Sequence, residues 1–151
     1  MLSRRGRTMA INVSHQKGGC ACGKVRYEIG EAETILSVFC FCKSCQISGG
    51  TEGAPVFSVP KSSIKIDGMA KPRDYISDRG THMHAYFCPD CGSRIYGLCD
   101  EMPDLIIIRA GSLDQPHIFR PEAYIYTEHA PEWVILDKSI PKFTGMPPLP
   151  S

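Results

Sequence analysis

The sequence predicts an all-β domain of short antiparallel strands with little helix. No helical pattern of apolar residues is sustained over ten residues, and short apolar or alternating runs are separated by frequent turn residues. This pattern is typical of small β proteins. The length of 151 residues suits one domain, and we find no internal repeat or linker.

The first half of the chain contains four predicted strands. The clearest is Lys24–Ile29, where Val25, Tyr27 and Ile29 alternate with charged residues, as in a half-buried strand. The others are Ile35–Phe39, Ala54–Val59 and Ser63–Asp67. Between them, Gln46–Glu52 is predicted as a turn or a short helical turn followed by a loop.

The second half continues in the same way, with a turn predicted at Gly68–Pro72 and another at Gly111–Asp114. The predicted strand segments are Asp74–Ile76, His82–Phe87, Ile95-Tyr96, Leu105–Ile108, Ala123–Thr127 and Trp133–Leu136. Leu105–Ile108 is a run of four apolar residues, which predicts a strand buried on both faces.

The two ends differ from the domain in composition. Residues 1–17 are basic and polar, and we expect a flexible arm there; a nucleic-acid contact or a targeting segment is the alternative. Residues 138–151 form a Pro-rich tail, and Pro141–Ser151 alone holds four prolines, which predicts a loose segment. The predicted domain is therefore residues 18–137.

Charge and hydropathy exclude several function classes. Seventeen basic and 16 acidic residues give a net charge of +1, so nucleic acid and anionic membranes are not expected partners. No apolar stretch approaches the ~20 residues of a membrane span. Residues 1–19 lack an apolar run of export-signal length. We expect a cytoplasmic protein with reduced thiols.

Seven of the eight cysteines are clustered, and Cys99 stands apart. The clusters are the pair Cys20 and Cys22, the triple Cys40, Cys42 and Cys45, and the pair Cys88 and Cys91. In a reducing compartment this spacing indicates metal sites more than disulfides. The pair in Cys88-Pro89-Asp90-Cys91-Gly92 has the form of a zinc knuckle, in which Gly92 can take a positive φ.

The triple alone can supply three corners of a zinc tetrahedron. Side chains two apart in an extended segment share a face, and a tight turn can return Cys45 to Cys40 and Cys42. An open fourth corner distinguishes a working zinc site from a closed structural one. Water or a substrate thiol can fill it. The internal candidates are Cys99, His82, His84, His117 and His129.

The two pairs then sum to the four thiolates of a closed structural site. One closed site and one three-thiolate site is the simplest partition. Other partitions remain open, because the sequence does not reveal which segments meet.

These motifs together resemble the family of glutathione-dependent formaldehyde-activating enzymes and centromere protein V. The matching motifs are Gly18-Gly19-Cys20-x-Cys22-Gly23-x-Val25-x-Tyr27, Cys40-x-Cys42-x-x-Cys45-x-x-Ser48-Gly49, Phe87-Cys88-x-x-Cys91-Gly92 and Gly111-Ser112-Leu113-Asp114. The resemblance covers residues 18 to about 137. One position departs from it: many members carry histidine where this chain has Phe41.

The resemblance implies a β-tent-like fold that holds two zinc ions per chain. It assigns Cys20, Cys22, Cys88 and Cys91 to a structural zinc, and Cys40, Cys42 and Cys45 to a second, functional zinc. It also implies a carbon–sulfur lyase similar to S-(hydroxymethyl)glutathione synthase, with glutathione as the thiol partner.

Two other functions stay open at this point: a carrier of glutathione or its adduct without catalysis, and a zinc-stabilised protein-interaction module. Glutathione has carboxylates, so a cation is expected near the triple. The candidates are Lys43, Arg73, Arg79, Arg94 and Arg109.

Overall fold

A computed structural model describes residues 10–147 and confirms the all-β class. Within these residues the chain forms ten strands, one α-helix and four single-turn 3₁₀ helices. The strands are β1 Lys17–Gly19, β2 Arg26–Ile29, β3 Leu36–Cys40, β4 Ala54–Pro60, β5 Ile64–Asp67, β6 Lys71–Ile76, β7 His82–Phe87, β8 Arg94–Cys99, β9 Leu105–Arg109 and β10 Ala123–Ile125. Helix α1 spans Lys43–Gly49.

The strands form two sheets. The larger sheet has seven strands in the order β10-β3-β4-β9-β8-β7-β6, and the smaller has three in the order β1-β2-β5. Neighbouring strands are antiparallel except at one place, where β10 pairs parallel with β3. The prediction of antiparallel strands is therefore wrong for β10, which reaches β3 by a long crossover rather than a hairpin.

Alternation correctly predicts the buried face of this segment, since Tyr27 and Ile29 of β2 and Val25 just before it all lie in the main core. That core fills the space between the two sheets. A second, smaller core lies where β3 meets β10, and the side chains of Cys42 and Cys45 pack against it. The cysteine triple is therefore attached to the side of the large sheet that β10 completes.

Several strand and turn boundaries differ from the sequence prediction. β3 ends one residue later than predicted and includes Cys40. β6 begins at Lys71, inside the predicted turn. β10 ends at Ile125, because Tyr126 adopts a left-handed backbone conformation with φ of 55°.

Two strand predictions need correction. Leu105–Ile108 is not buried on both faces: Ile106 and Ile108 are buried, whereas Leu105 and Ile107 line a cavity on the other face. Trp133–Leu136 is not a strand, although it is apolar. Ile135 is 95% exposed there. An apolar run forms a strand only where a neighbouring strand supplies hydrogen bonds and a buried face, and in the described chain this run has neither.

The described part of each terminal segment is hydrogen-bonded to the domain. Residues 10–17, predicted as part of a flexible arm, contribute the buried Val13, whose N–H donates to the Ala32 carbonyl over 3.0 Å. Residues 141–147, predicted as a loose tail, pair with β10 through Phe143 and Tyr124. Flexibility of the two segments stays a prediction, and residues 1–9 and 148–151 lie outside the described chain.

Gly18 is required by a close approach between β1 and the turn that follows β9. A Cβ built on Gly18 would lie 2.4 Å from both the Ser112 carbonyl oxygen and the Tyr27 hydroxyl. Tyr27 and Ser112 are themselves hydrogen-bonded over 2.8 Å. A side chain at Gly18 would therefore separate the two sheets beside Cys20.

We expect Gly18→Ala to destabilise the protein by about 1–3 kcal/mol, the usual cost of overpacking. Gly111→Ala is the matched control, because a Cβ there meets nothing within 4 Å. Urea unfolding measures both variants. Equal midpoints for the two would contradict the close approach at Gly18.

Candidate metal centres

The structure brings the two cysteine pairs together. The sulfur atoms of Cys20, Cys22, Cys88 and Cys91 all lie within 4.8 Å of one another. The Sγ atoms of Cys20 and Cys22 are 3.6 Å apart, and those of Cys22 and Cys88 are 3.7 Å apart. Zinc–sulfur bonds of 2.3 Å at tetrahedral angles imply sulfur separations of about 3.8 Å. This cluster therefore has the size of a four-thiolate metal site.

Two tight turns hold these cysteines, one after β1 and one after β7. The Val25 N–H donates to the Cys20 sulfur over 3.3 Å. Gly92 has a φ of 78°, as predicted, and its N–H closes the second turn on the Cys88 carbonyl oxygen. A hydrogen bond from the Ser93 hydroxyl is the main cause that lowers the pKa of Cys91 to about 5. The second turn therefore favours a thiolate at Cys91, the form that binds metal.

The triple forms a second cluster at the junction of β3 and α1. Cys40 is the last residue of β3, Cys42 is the N-cap of α1, and Cys45 lies in its first turn. Their sulfur atoms also lie within 4.8 Å of one another. The tight turn expected from the sequence is thus the start of a helix, which returns Cys45 to the other two.

Hydrogen bonding favours a thiolate at the centre of the triple. Thiol groups of Cys40 and Cys45 donate to Cys42, and the Cys45 N–H donates to the Cys42 sulfur over 3.4 Å. These bonds lower the pKa of Cys42. The pKa of Cys40 is raised, first by its hydrogen bonds to Cys42 and Cys45 and then by burial and the neighbouring sulfur charge, so without a cation the three cannot all be ionised.

No internal candidate supplies a fourth ligand to the triple. Among residues 10–147, no further Cys, His, Asp or Glu joins this cluster within 4.8 Å. Cys99 donates instead to Glu101, which also binds the Nδ1 atom of His82 over 2.7 Å. His84 lies between two carboxylates, which raise its pKa.

The two remaining histidine candidates are also separate from the sulfur atoms. His117 is exposed. His129 interacts with Glu128, and its carbonyl oxygen accepts a hydrogen bond from Gln46 in α1.

Phe41 points away from the sulfur atoms into the protein. Its ring is 1% exposed and packs between Phe39 and Tyr124, with centroids 4.9 and 5.9 Å away. Side chains alternate along an extended segment, so position 41 faces opposite to Cys40 and Cys42. In this chain the residue between the two cysteines contributes packing rather than chemistry.

A largely apolar cavity of about 170 Å³ opens beside the triple. All three cysteines line it, together with residues from all seven strands of the large sheet. Tyr126 lines the same cavity, and burial raises its pKa, so its hydroxyl is neutral at physiological pH. Sequence reasoning missed Tyr126, because neither its turn conformation nor the parallel pairing of β10 has a sequence signal.

Three of the five predicted cations line the cavity, namely Arg79, Arg94 and Arg109, and the other two do not. Arg109 donates to the Ser48 hydroxyl over 3.2 Å. Burial lowers the pKa of Arg109, and the positive charge of Arg94 lowers it further, whereas Cys45 opposes both effects. The Nε and Nη1 atoms of Arg94 are buried and have no hydrogen-bond partner.

Membrane insertion through a helix is not supported in residues 10–147, where no helix has the length and apolar character that a bilayer span requires.

Comparison with known proteins identifies the family. The family model described as glutathione-dependent formaldehyde-activating enzyme matches residues 15–129, more than half of the chain. A search of curated proteins found no match. A solved crystal structure of a Rhodobacter sphaeroides protein is similar, with 22% identity and a TM-score of 0.49 over 65% of this chain and 87% of that chain. The chain therefore belongs to the glutathione-dependent formaldehyde-activating enzyme family.

Proposed function

We propose that this protein is a zinc-dependent enzyme of the carbon–sulfur lyase type that adds the thiol of glutathione to formaldehyde. One observation carries the proposal: three cysteine sulfurs converge beside a cavity, and no fourth protein ligand joins them in the described chain. The family supports a glutathione-related, formaldehyde-activating role.

Both sulfur clusters fit zinc. Thiolates are the ligands that zinc prefers, and four of them at about 3.7 Å spacing match a closed tetrahedral site. The triple offers three thiolates from Cys40, Cys42 and Cys45 and leaves one corner for a ligand from the cavity. We therefore assign the structural role to the four-sulfur cluster and the catalytic role to the triple.

Zinc bound by three thiolates would supply a position at which an incoming thiol is held as its thiolate. The residues of the chain do the rest. Arg109 lies close enough to Cys45 for their charges to interact, so its guanidinium can bind a carboxylate of the incoming thiol. The apolar cavity wall excludes water from the reacting carbon.

The addition itself is balanced without another reactant. The thiol sulfur forms a bond to the carbonyl carbon, and the π pair of the C=O bond moves to oxygen. The proton that the thiol loses ends on that oxygen, which gives the S-hydroxymethyl adduct. Tyr126 is placed to donate a hydrogen bond to this oxygen, because its neutral hydroxyl shares the cavity with the triple.

The interaction-module alternative requires Cys99 or a histidine to complete the second tetrahedron. Cys99 binds Glu101 instead, and no histidine joins the triple among the described residues. The carrier alternative shares the same site and differs only in turnover.

Metal analysis is the first test. We expect about two zinc ions per chain, and Cys20→Ser and Cys42→Ser should each lose one. Cys20→Ser should also lose stability, because the four-sulfur cluster links two distant turns, whereas Cys42→Ser should change the melting temperature less. Elemental analysis and thermal unfolding give both numbers. A single zinc in the wild type would contradict the division into two sites.

Turnover is the second test, measured by exchange NMR of glutathione with formaldehyde against a protein-free blank. The zinc-loaded protein should exceed the blank, and Cys42→Ser should not. Cys99→Ser is the matched control and should retain the rate. Wild-type protein that binds glutathione in calorimetry without exceeding the blank is a carrier, and the enzymatic proposal would then fail.

Tyr126→Phe should lower kcat on the order of 10²-fold with little change in KM, since it removes a donor used in the transition state. Tyr86→Phe is the control, because Tyr86 stacks on Tyr96 with ring centroids 4.6 Å apart and is outside the cavity lining. An unchanged kcat in Tyr126→Phe would remove this residue from the mechanism.

A further inference from the structure

The cavity beside the triple is much more apolar than glutathione or formaldehyde requires. Its wall includes Leu36, Val38, Val56, Ile107 and Ile125. Glutathione is a charged tripeptide, and formaldehyde has a single carbon. The thiol and a carboxylate of glutathione have partners here in the triple and Arg109, but the aliphatic wall matches neither molecule, because burying polar groups against it costs free energy.

The size of the cavity indicates what fits. Its volume is about 170 Å³, and an apolar cavity of roughly 150 Å³ accepts a benzene molecule. A substituted benzene ring or a chain of similar volume can therefore occupy it.

Arg94 adds a positive charge to this apolar cavity. Its Nε and Nη1 atoms are buried without a hydrogen-bond partner, and no salt bridge joins it to a carboxylate in the described chain. Asp78 also lines the cavity, but its side chain is exposed. A guanidinium with buried N–H groups and no acceptor is costly, and the charge of an oxyanion in the cavity would offset that cost.

The second cavity arginine already has partners in the chain, and the proposed function assigns it to a carboxylate of the thiol. Arg109 interacts with the charge of Cys45 and Cys40 and donates to Ser48. Arg94 is instead placed beside Arg109, a charge of the same sign. The third cavity arginine, Arg79, is exposed, so the buried guanidinium nitrogens without a partner belong to Arg94.

We propose that the cavity binds an apolar carboxylate, an aromatic or aliphatic group whose acid end pairs with Arg94. This inference rests on the proposed function in one respect: it makes the electrophile an apolar aldehyde that carries a carboxylate. The addition is the same as for formaldehyde. The thiol sulfur bonds to the aldehyde carbon, and the thiol proton ends on the aldehyde oxygen, which gives a hemithioacetal.

Binding is tested with 4-methylbenzoate, which has the ring and the acid but no reactive carbonyl. Calorimetry on the zinc-loaded full chain should show one site per chain. Acetate, which lacks the ring, and 4-methylbenzamide, which lacks the charge, should each bind at least tenfold more weakly. Equal binding of 4-methylbenzoate and 4-methylbenzamide would overturn the role of Arg94.

Two variants locate the site. Arg94→Met and Ile107→Trp should each weaken 4-methylbenzoate at least tenfold, the first by removing the cation and the second by filling the cavity. Their matched controls are Arg120→Gln, which removes an exposed arginine, and Ile66→Trp, on the separate three-stranded sheet. Arg94→Met should also melt a few degrees higher than wild type, because it removes a buried unpaired cation. Unchanged affinity in both cavity variants would overturn the proposal.

Rates of glutathione addition to two aldehydes distinguish the apolar-carboxylate proposal from the proposed function. Glutathione addition to 4-carboxybenzaldehyde should exceed its blank by a larger factor than addition to formaldehyde, and Arg94→Met should remove the difference. Acceleration with formaldehyde alone, without 4-methylbenzoate binding, overturns this inference and leaves the proposed function intact. Binding without acceleration of either aldehyde supports the ligand class and contradicts the enzyme.

Discussion

The meeting of four sulfur atoms is the constraint on which this architecture depends. Cys20 and Cys22 follow the first strand of the small sheet, and Cys88 and Cys91 lie between two strands of the large one. Their convergence joins the two sheets at one end of the shared core. Four thiolates at such short range would repel one another, so a cation bound here would be favourable, and its binding free energy would contribute to folding.

Sequence reasoning predicted the cysteine clusters better than it predicted the order and pairing of the strands. Cysteine spacing predicted both clusters because metal geometry acts over two to five residues, and the alternation of Val25, Tyr27 and Ile29 predicted the inner face of the segment that includes β2 because strands have a period of two. The parallel pairing of β10 with β3 joins residues 85 positions apart, such as Val38 and Ala123. No local pattern encodes such a contact. Apolar content alone was misleading at Trp133–Leu136, where no partner strand is present.

The candidate site combines features that oppose stability. One apolar cavity is lined by three clustered sulfurs, by Arg94 with its buried unpaired nitrogens, and by Tyr126 with its left-handed backbone. Each costs free energy in the folded protein. The antiparallel strands β3, β4, β9 and β8 form the sheet that supports these residues. Binding and catalytic sites typically combine a stable scaffold with residues whose arrangement costs folding free energy.

The late position of β10 has a consequence for how the protein matures in the cell. Cys45 leaves the ribosome about 80 residues ahead of Ile125 and Tyr126, which corresponds to roughly 4–16 s at usual rates of translation. During that interval the triple already exists as a short local motif, but the wall that β10 and residues 141–147 provide does not. Metal ions and chaperones therefore have access to these thiols in the nascent chain before the finished protein encloses them.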